Sequence, residues 1–253
     1  MRSKNKIIRD MEALTDFPKV YCPFIRRRYQ VINGFKEHGS KLKLREPVVY
    51  LVTNEINPGY EWVFTEKEVR AVEKLDGTNV KLKNENGRLV SLMNRKNIVD
   101  PLQIMKGKTF IIEGVFHAIQ KGYVKESGEQ AGECIGPKLQ SNPYNISYHT
   151  WYPFELAYEN LFYKSFYEHE RTFDNWSNWF QNFLRSRFYM KAHKCGFEAA
   201  PFAEGVIFTS MSRKTAGQTH MAKLRRDMFR WYYEPLLEIG EELQPVADED
   251  IES

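Results

Sequence analysis

Residues 69–93 contain strand-like apolar runs separated by glycine turn pairs, and this pattern limits the folds that the chain can adopt. Apolar residues precede Lys74, and after Gly77 apolar and polar residues alternate as they do in a half-buried strand. The pair Asn86-Gly87, which lies between two such runs, is a strong signal for a two-residue β-hairpin. We therefore predict antiparallel strands on both sides of this turn.

Lys74 is the residue of this stretch that is most suited to a chemical role. A lysine held in apolar surroundings is disfavoured in its charged form and can act as a nucleophile. Gly77 permits a tight turn or a close approach of the backbone to a ligand. The alternative is a surface lysine beside an ordinary turn, because Asp-Gly is also a common turn pair.

The segment Lys74-Leu75-Asp76-Gly77 has the form Lys-x-Asp-Gly. It resembles the covalent nucleotidyltransferases, which comprise ATP-dependent DNA and RNA ligases and mRNA capping enzymes. The resemblance implies that Lys74 attacks the α-phosphorus of a nucleoside triphosphate and carries the nucleotide as a phosphoramide. It also implies that Glu73, Asp76 and Gly77 lie around the bound nucleotide.

Further segments of that family can be matched in the same order along the chain. Arg95 follows the predicted hairpin, where the family has an arginine that serves the nucleotide or the polynucleotide end; an exposed hairpin end is the alternative. Glu133 stands in 131–144, which resembles the Gly-Glu-x-x-Gly-Pro-x-x-Gln-x-Asn segment of one group of ATP-dependent RNA ligases. There the glutamate accepts hydrogen bonds from the ribose hydroxyls; a glycine-rich surface loop is the alternative.

The regions on either side of this segment carry less specific patterns. Large residues alternate over 151–158 and predict a strand. The resemblance makes Phe154 the aromatic that stacks on the adenine, although aromatic residues in strands usually belong to a core. Residues 109–123 predict a helix, and Glu113 on a strand is the alternative position for a catalytic glutamate. Residues 172–194 predict one long helix whose aromatic face packs against the domain.

Two further segments complete the match. Glu204 precedes a buried strand in a Glu-Gly-apolar-apolar segment, in which the family glutamate serves a divalent metal. Lys223 and Arg225 match the Lys-x-Lys segment that binds the triphosphate, with arginine in place of the second lysine. Arginine keeps the charge but cannot act as a proton donor as lysine can. The alternatives are an ordinary edge residue for Glu204 and a basic helix start for Lys223.

Composition supports a globular protein and suggests how the chain is divided. The 253 residues are 42% hydrophobic and 14% aromatic, and no apolar run is long enough to predict a membrane span. Three widely spaced cysteines predict free thiols in a reducing, cytoplasmic compartment. The formal charge of +4 suits a nucleic-acid partner without requiring one. We expect an N-terminal segment or accessory module (1–70), a nucleotidyltransferase domain (71–235) with a helical insertion (159–200), and an acidic tail (236–253).

The ordered set of segments implies an α+β nucleotidyltransferase fold of the ligase/ATP-grasp-like type, with antiparallel sheets flanked by helices. It implies an RNA ligase that uses ATP and Mg²⁺ or Mn²⁺ and forms a lysyl-AMP intermediate. Such an enzyme adenylylates a 5′-phosphate end of RNA and seals it to a 3′-OH. Capping-type guanylyl transfer, DNA ligation and a non-catalytic RNA-binding role are the alternatives.

Overall fold

The computed structural model of the protein describes residues 11, 13–34, 48–101, 109–210, 220–234 and 237–244. The chain divides into two compact units. The first unit consists of Met1–Pro18 and Asp76–Asn160, and the second consists of Lys19–Leu75 and Leu161–Ser253. The chain therefore leaves the second unit after Leu75, forms most of the first unit, and returns at Leu161.

Antiparallel strands and short helices make up both units. The strands are β1 (Phe24–Gly34), β2 (Val48–Ile56), β3 (Val69–Lys74), β4 (Thr78–Glu85), β5 (Arg88–Asn94), β6 (Asn97–Ile98), β7 (Gly128–Ile135), β8 (Thr150–Pro153), β9 (Gly205–Ser210), β10 (Met221–Arg225) and β11 (Leu237–Glu242). The helices are α1 (Trp62–Thr65), α2 (Thr109–Gln120), α3 (Phe154–Asn160), α4 (Phe173–Asn182), α5 (Arg187–His193) and α6 (Arg230–Tyr233). The pairings between these strands are antiparallel. They confirm the predicted α+β class with antiparallel sheets flanked by helices.

The first unit is built on a five-stranded sheet in the order β6-β5-β4-β7-β8. The hairpin between β4 and β5 turns at Asn86 and Gly87, whose φ angles of 51° and 74° are those that a two-residue turn of this kind requires. Helix α2 contributes Ile111 and Val115 to the core of this unit. Both the hairpin and the helix predicted over 109–123 are confirmed.

Gly114 lets α2 come close to the sheet. A Cβ atom at this position would lie 2.7 Å from Sγ of Cys134 on β7. Glycine has a low helix propensity and weakens the helix at this position. The close packing of α2 against β7 nevertheless requires a residue without a Cβ atom. Phe116 and Ile119 of the same helix remain 59% and 49% exposed.

The second unit contains two three-stranded sheets, in the orders β10-β9-β3 and β11-β1-β2. Its main core contains Val69 and Ala71 of β3 and Phe208 of β9. The aromatic residues that α4 adds to this core are Trp176, Trp179 and Phe180. The prediction that this aromatic face packs against the domain is therefore confirmed.

The single helix predicted over 172–194 is wrong in extent, because the chain forms two helices, α4 and α5. Thr172 caps α4 and Ser186 caps α5, each by accepting a hydrogen bond from a backbone N–H of its own first turn. Between the two helices, Arg185 forms an isolated β-bridge with Phe202. An extended residue followed by a second cap therefore interrupts the helix.

The two units divide the chain differently from the boundaries expected from the sequence. The boundary between 70 and 71 falls inside the second unit, because β1 and β2 belong to the same unit as β3. The expected acidic tail, 236–253, includes β11, which pairs with β1. The expected insertion, 159–200, lies in the second unit from Leu161 onward and contributes to its core.

Two further properties of the chain concern its helices and its thiols. None of the helices in the described ranges is long and apolar enough to cross a membrane. Cys22, Cys134 and Cys195 are free thiols, and the first two are buried.

Candidate active site

Strand β3 ends in two residues with different surroundings. Val69, Ala71 and Glu73 are buried, as expected for alternate residues on the core face of a strand. The Lys74 side chain, next along the strand, is 25% exposed. Its Nζ donates a hydrogen bond to Oε2 of Glu204 at 2.5 Å.

Glu204 reaches Lys74 because β9 begins directly opposite the end of β3. Lys74 is paired in register with Gly205, the residue after Glu204. A Cβ atom at Gly205 would overlap the carbonyl oxygen of Leu224 on β10, so β9 and β10 can approach this closely only at a glycine. The N–H of Arg226 donates to the carbonyl oxygen of Glu204 at 2.9 Å, which fixes the turn before β9.

Arg225 and Lys223 add positive charge on β10. Nη1 of Arg225 lies 4.0 Å from Oε1 of Glu204, and its Nε forms a second ion pair with Oδ1 of Asp227 at 3.0 Å. Lys223 lies two residues earlier, and alternate residues of a strand share a face. Lys74, Glu204 and Arg225, which we call the charged cluster, are thus brought together from three separate parts of the chain.

The Glu73 side chain is not part of the charged cluster. It is 2% exposed and accepts hydrogen bonds from Oγ of Ser186 at 2.6 Å and from the N–H of Phe188 at 2.7 Å. Burial raises the pKa of Glu73 to about 7, although these hydrogen bonds oppose the shift. Both carboxylate oxygens are therefore engaged by groups of the second unit.

In the first unit, the turn at Asp76 and Gly77 packs tightly on β7. A Cβ atom at Gly77 would overlap the carbonyl oxygen of Cys134 and would lie 2.7 Å from Cγ2 of Ile135. A close backbone approach at Gly77 therefore occurs, and the group approached is another strand of the protein. The N–H of Asp76 donates to Oη of Tyr144 at 2.6 Å. No sequence motif indicates that this buried tyrosine supports the turn at Asp76.

The loop after β7 has a costly backbone conformation. Gln140, Ser141 and Asn142 have φ angles of 45°, 60° and 53°, which residues other than glycine seldom adopt. Nδ2 of Asn142 donates to the carbonyl oxygen of Ile146 at 2.9 Å, and the N–H of Ile146 donates back to Oδ1 at 3.2 Å. Nε2 of Gln140 donates to the carbonyl oxygen of Gly77 at 3.5 Å. The loop is thereby tied to the Gly77 turn.

Glu113 lies on α2, so its alternative placement on a strand is wrong. Its Oε2 lies 2.7 Å from Nδ1 of His149, which is buried. The N–H of Lys138 donates to Nε2 of the same histidine at 3.3 Å. Glu113 and His149 therefore support the loop after β7.

Glu133 and Arg95 are brought near each other through one strand residue, Asn79. Glu133, on β7, is 6% exposed and is paired in register with Asn79 on β4. The N–H of Arg95 donates to the carbonyl oxygen of Asn79 at 3.2 Å. Arg95 lies in the turn between β5 and β6 with a φ of 52°, and it is exposed. The position of Asn79 next to Arg95 cannot be predicted from the sequence, because the backbone carbonyl of Asn79, and not its side chain, makes the contact.

Phe154 is the first residue of α3, so the strand predicted over 151–158 is wrong from this residue onward. Its ring is 39% exposed and lies edge-on to Phe17, with the ring centroids 6.2 Å apart. Trp151 and Tyr152 of β8 are buried. Phe154 thus presents part of a ring to solvent, as a stacking role requires.

Glu204 is the residue expected to serve a divalent metal. Across the described ranges, no group of three or more His, Cys, Asp or Glu side chains is placed to hold a metal ion. Mg²⁺ at nucleotide sites is usually held by one or two carboxylates together with phosphate oxygens and water. The carboxylate of Glu204, which lies between two cations, fits a site shared with a nucleotide and does not fit a site made of protein ligands alone.

No protein-family model and no curated protein matches the chain. Solved structures similar to it include several of an RNA ligase from Naegleria gruberi. A mutant of that ligase with ATP and Mn is 10% identical over 82% of this chain and 61% of that chain, with a TM-score of 0.41. The ligase with PPi is 11% identical over 87% and 63%, with a TM-score of 0.41. A mutant with AMP and Mn is 11% identical over 86% and 63%, with a TM-score of 0.35. The chain spans less than two thirds of the length of these ligase chains.

Proposed function

We propose that this chain is an ATP-dependent RNA ligase of the covalent nucleotidyltransferase type, working through a lysyl-AMP intermediate. The observation that carries the proposal is the 2.5 Å contact between Nζ of Lys74 and Oε2 of Glu204. The two residues are 130 positions apart, and each belongs to a separate motif of the resembled family. The order of the motifs does not by itself require that the two side chains meet.

Lys74 is the proposed nucleophile. After its ammonium group has lost a proton, the amine attacks the α-phosphorus of ATP; the N–P bond forms, the P–O bond to the β-phosphate breaks, and pyrophosphate leaves. Nζ of Lys74 donates to Oε2 of Glu204, so the carboxylate holds the side chain at the end of β3. A covalent lysyl-AMP divides the overall reaction into steps that are each easier than direct joining.

Glu204 would also hold the divalent ion together with oxygens of the triphosphate. When bound, such an ion offsets the negative charge of the phosphates. Arg225 and Lys223 supply positive charge from β10, where charge develops as pyrophosphate leaves. Arg225 offers several N–H donors in a planar group that suits phosphate oxygens.

The remaining proposed contacts follow from the resemblance of the sequence segments alone. Glu133 would accept from the ribose hydroxyls, Phe154 would stack on the adenine, and Arg95 would serve the nucleotide or the RNA end. Asp76 and Gly77 would lie near the α-phosphate through their backbone. A 5′-phosphate of RNA then attacks the adenylyl phosphorus and releases Lys74, and a 3′-OH attacks the activated end and displaces AMP.

Formation of the covalent adduct is the first test. The protein is incubated with α-labelled ATP or GTP and either Mg²⁺ or Mn²⁺, and label on the chain is measured after denaturing electrophoresis. Label from ATP is expected on the wild type and on Lys67→Ala, an exposed lysine of the same unit, and none is expected on Lys74→Ala. Label from GTP alone would indicate capping-type transfer. No label on folded protein under any condition would contradict the proposal and leave an RNA-binding role.

The choice of RNA as substrate is tested separately. Labelled protein is given RNA or DNA strands of the same sequence that carry a 5′-phosphate and a 3′-OH, and product length is measured. Joined RNA without joined DNA is the expected result. Joined DNA alone would contradict the assignment to RNA while retaining the lysyl-AMP chemistry.

A further inference from the structure

Two arginines and one aromatic ring form a stack in the second unit. Cζ of Arg185 lies 3.8 Å from the centroid of the Phe202 ring, and Cζ of Arg226 lies 3.9 Å from the same centroid. A carbon this close to the centroid must lie above the ring plane, because an approach within the plane would overlap ring atoms. Two guanidinium groups cannot share one face at that distance, so they lie on opposite faces of Phe202.

The stack continues at both ends onto partly exposed rings. Arg185 lies 5.8 Å from the ring centroid of Phe197, and Arg226 lies 5.9 Å from that of Tyr232. The two outer residues are 41% and 39% exposed. We call these five residues, Phe197, Arg185, Phe202, Arg226 and Tyr232, the guanidinium ladder.

Among the residues that the structure describes, no carboxylate is paired with the positive charge of the ladder. Within the described ranges, neither guanidinium group forms an ion pair. Their acceptors are backbone carbonyl oxygens, among them those of Ala200 for Arg185 at 3.3 Å and of Phe180 for Arg226 at 2.9 Å. Nε of Arg185 is buried without a hydrogen-bond partner in the same ranges. Burial, together with the charge of Arg185, lowers the pKa of Arg226.

The surroundings of the ladder add positive charge and connect it to the charged cluster. Four residues of 185–198 are arginine or lysine, and a single residue, Glu198, is acidic. Phe202 stands two residues before Glu204 in the sequence, and the N–H of Arg226 donates to the carbonyl oxygen of Glu204. An RNA strand whose end reacts near Lys74 and Glu204 must extend over the adjacent protein surface. The ladder is part of that adjacent surface, because Arg226 is hydrogen-bonded to Glu204.

We propose that the guanidinium ladder binds single-stranded RNA, with phosphates at Arg185 and Arg226 and bases on the exposed rings of Phe197 and Tyr232. The proposal rests on the proposed function, because an RNA ligase must hold its strand beside the reacting end. Phosphate oxygens carry the negative charge that no described carboxylate supplies to the ladder, and they can accept two parallel N–H bonds from a guanidinium group. Stacking of bases on aromatic rings tolerates any sequence, which suits an enzyme that joins different RNAs.

The salt dependence of RNA binding tests the phosphate contacts. Fluorescence anisotropy of an end-labelled single-stranded oligoribonucleotide is measured over a series of NaCl concentrations. Arg185→Gln is expected to weaken binding about tenfold at low salt and to reduce the slope of log K against log salt by about 0.7, as for one phosphate contact on a single strand. The control is Arg88→Gln, an exposed arginine of the first unit, which is expected to match the wild type. A wild-type slope and affinity in folded Arg185→Gln would overturn the proposal.

A second variant keeps the test decisive if thermal unfolding shows that Arg185→Gln does not fold. Phe197→Ala removes a ring that is 41% exposed, so its loss leaves no buried cavity. It is expected to weaken RNA binding about fivefold with an unchanged salt slope, because stacking is lost and no phosphate contact is. Phe116→Ala, with 59% exposure on α2, is the matched control. Unchanged RNA binding in Phe197→Ala would overturn the proposal.

Two comparisons separate this inference from the ligase proposal. Equal losses with a DNA oligonucleotide of the same sequence would overturn the restriction to RNA. Wild-type protein that takes up label from ATP but binds RNA independently of the ladder would overturn the ladder alone. Ladder-dependent RNA binding by protein that takes up no label would support the ladder and overturn the ligase proposal.

Discussion

Within residues 73–77, Lys74 of the charged cluster differs in exposure from Glu73 and Gly77, which we call its packed neighbours. Lys74 and Glu204 keep 25% and 21% of their side chains exposed. Glu73 keeps 2%, and Gly77 has no room for one further carbon. Opposite charges face each other in the cluster, whereas uncharged donors meet the carboxylate of Glu73. One short motif therefore combines a partly exposed charged residue, which we propose as the nucleophile, with residues that are packed inside the protein.

This contrast predicts that substitutions in the charged cluster reduce activity more than stability. Apart from Lys74→Ala, which is expected to take up no label, the largest effect is expected at Glu204. Glu204→Ala removes the acceptor that holds the Lys74 amine, so label transfer from ATP is expected to fall at least about a hundredfold. The free energy of unfolding is expected to change by about 1 kcal/mol or less, because the ion pair is partly exposed. Single-turnover labelling and urea unfolding measure the two effects.

The control for this variant is Glu68→Ala, an exposed glutamate of the second unit. Its labelling rate and stability are expected to equal those of the wild type. Labelling of Glu204→Ala at the wild-type rate would show that the contact with Lys74 has no part in the chemistry.

The packed neighbours are expected to show the reverse, beginning with Gly77. Gly77→Ala places a Cβ atom against the backbone of Cys134, so the free energy of unfolding is expected to fall by roughly 3 kcal/mol. Urea unfolding followed by circular dichroism measures the change. Gly196→Ala is the matched control, because no atom lies within 4 Å of a Cβ built there. Equal stability of the two variants would place Gly77 outside the packed region.

Glu73 provides a prediction that depends on pH. Its pKa in the folded protein, about 7, lies above the ordinary value of 4.5, so the folded state binds the proton more tightly than the unfolded chain. The resulting stabilisation is complete below pH 4.5 and is lost as the pH rises to about 7. The free energy of unfolding of the wild type minus that of Glu73→Gln is therefore expected to fall by roughly 3 kcal/mol across this range. A difference that does not vary with pH would contradict the burial of a titrating carboxylate.

The smallest effect on label transfer is expected for Arg225→Lys, which changes the shape of the side chain and keeps its charge. Arg225→Lys keeps a positive charge on β10 and is expected to lower label transfer about threefold or less, while Arg225→Gln is expected to lower it about tenfold. Rates of labelling at saturating ATP measure both variants. Equal rates for the two would mean that the charge at this position does not act on the triphosphate.

The features that could be predicted from the sequence have local causes. The hairpin at Asn86 and Gly87 follows from two residues that accept positive φ, and α2 follows from a periodic apolar face. The close approach at Gly77 follows from a turn pair with a glycine. In each case, the residues that determine the structure lie within one element or one turn.

Features determined by distant residues could not be predicted in this way. Ser186 caps α5 while donating to Glu73, which lies 113 residues away. Phe154 follows β8 directly and begins a helix, although its large neighbours alternate as in a strand. The burial of the Glu73 carboxylate inside the second unit depends on its contact with Ser186. No local pattern encodes these contacts, because their partners come from other elements of the fold.

The placement of one unit within the chain of the other has a consequence for synthesis on the ribosome. Asp76–Asn160 emerges as one continuous segment, and the five-stranded sheet pairs only within it. Strand β3 emerges earlier but pairs with β9, and β1 pairs with β11, so both need strands translated much later. The nascent chain can therefore complete the first unit while Val69 and Ala71 still lack their core partners. The lysine can reach its acid partner only after Glu204 has been translated, and until then the apolar residues of β3 remain available for binding by chaperones.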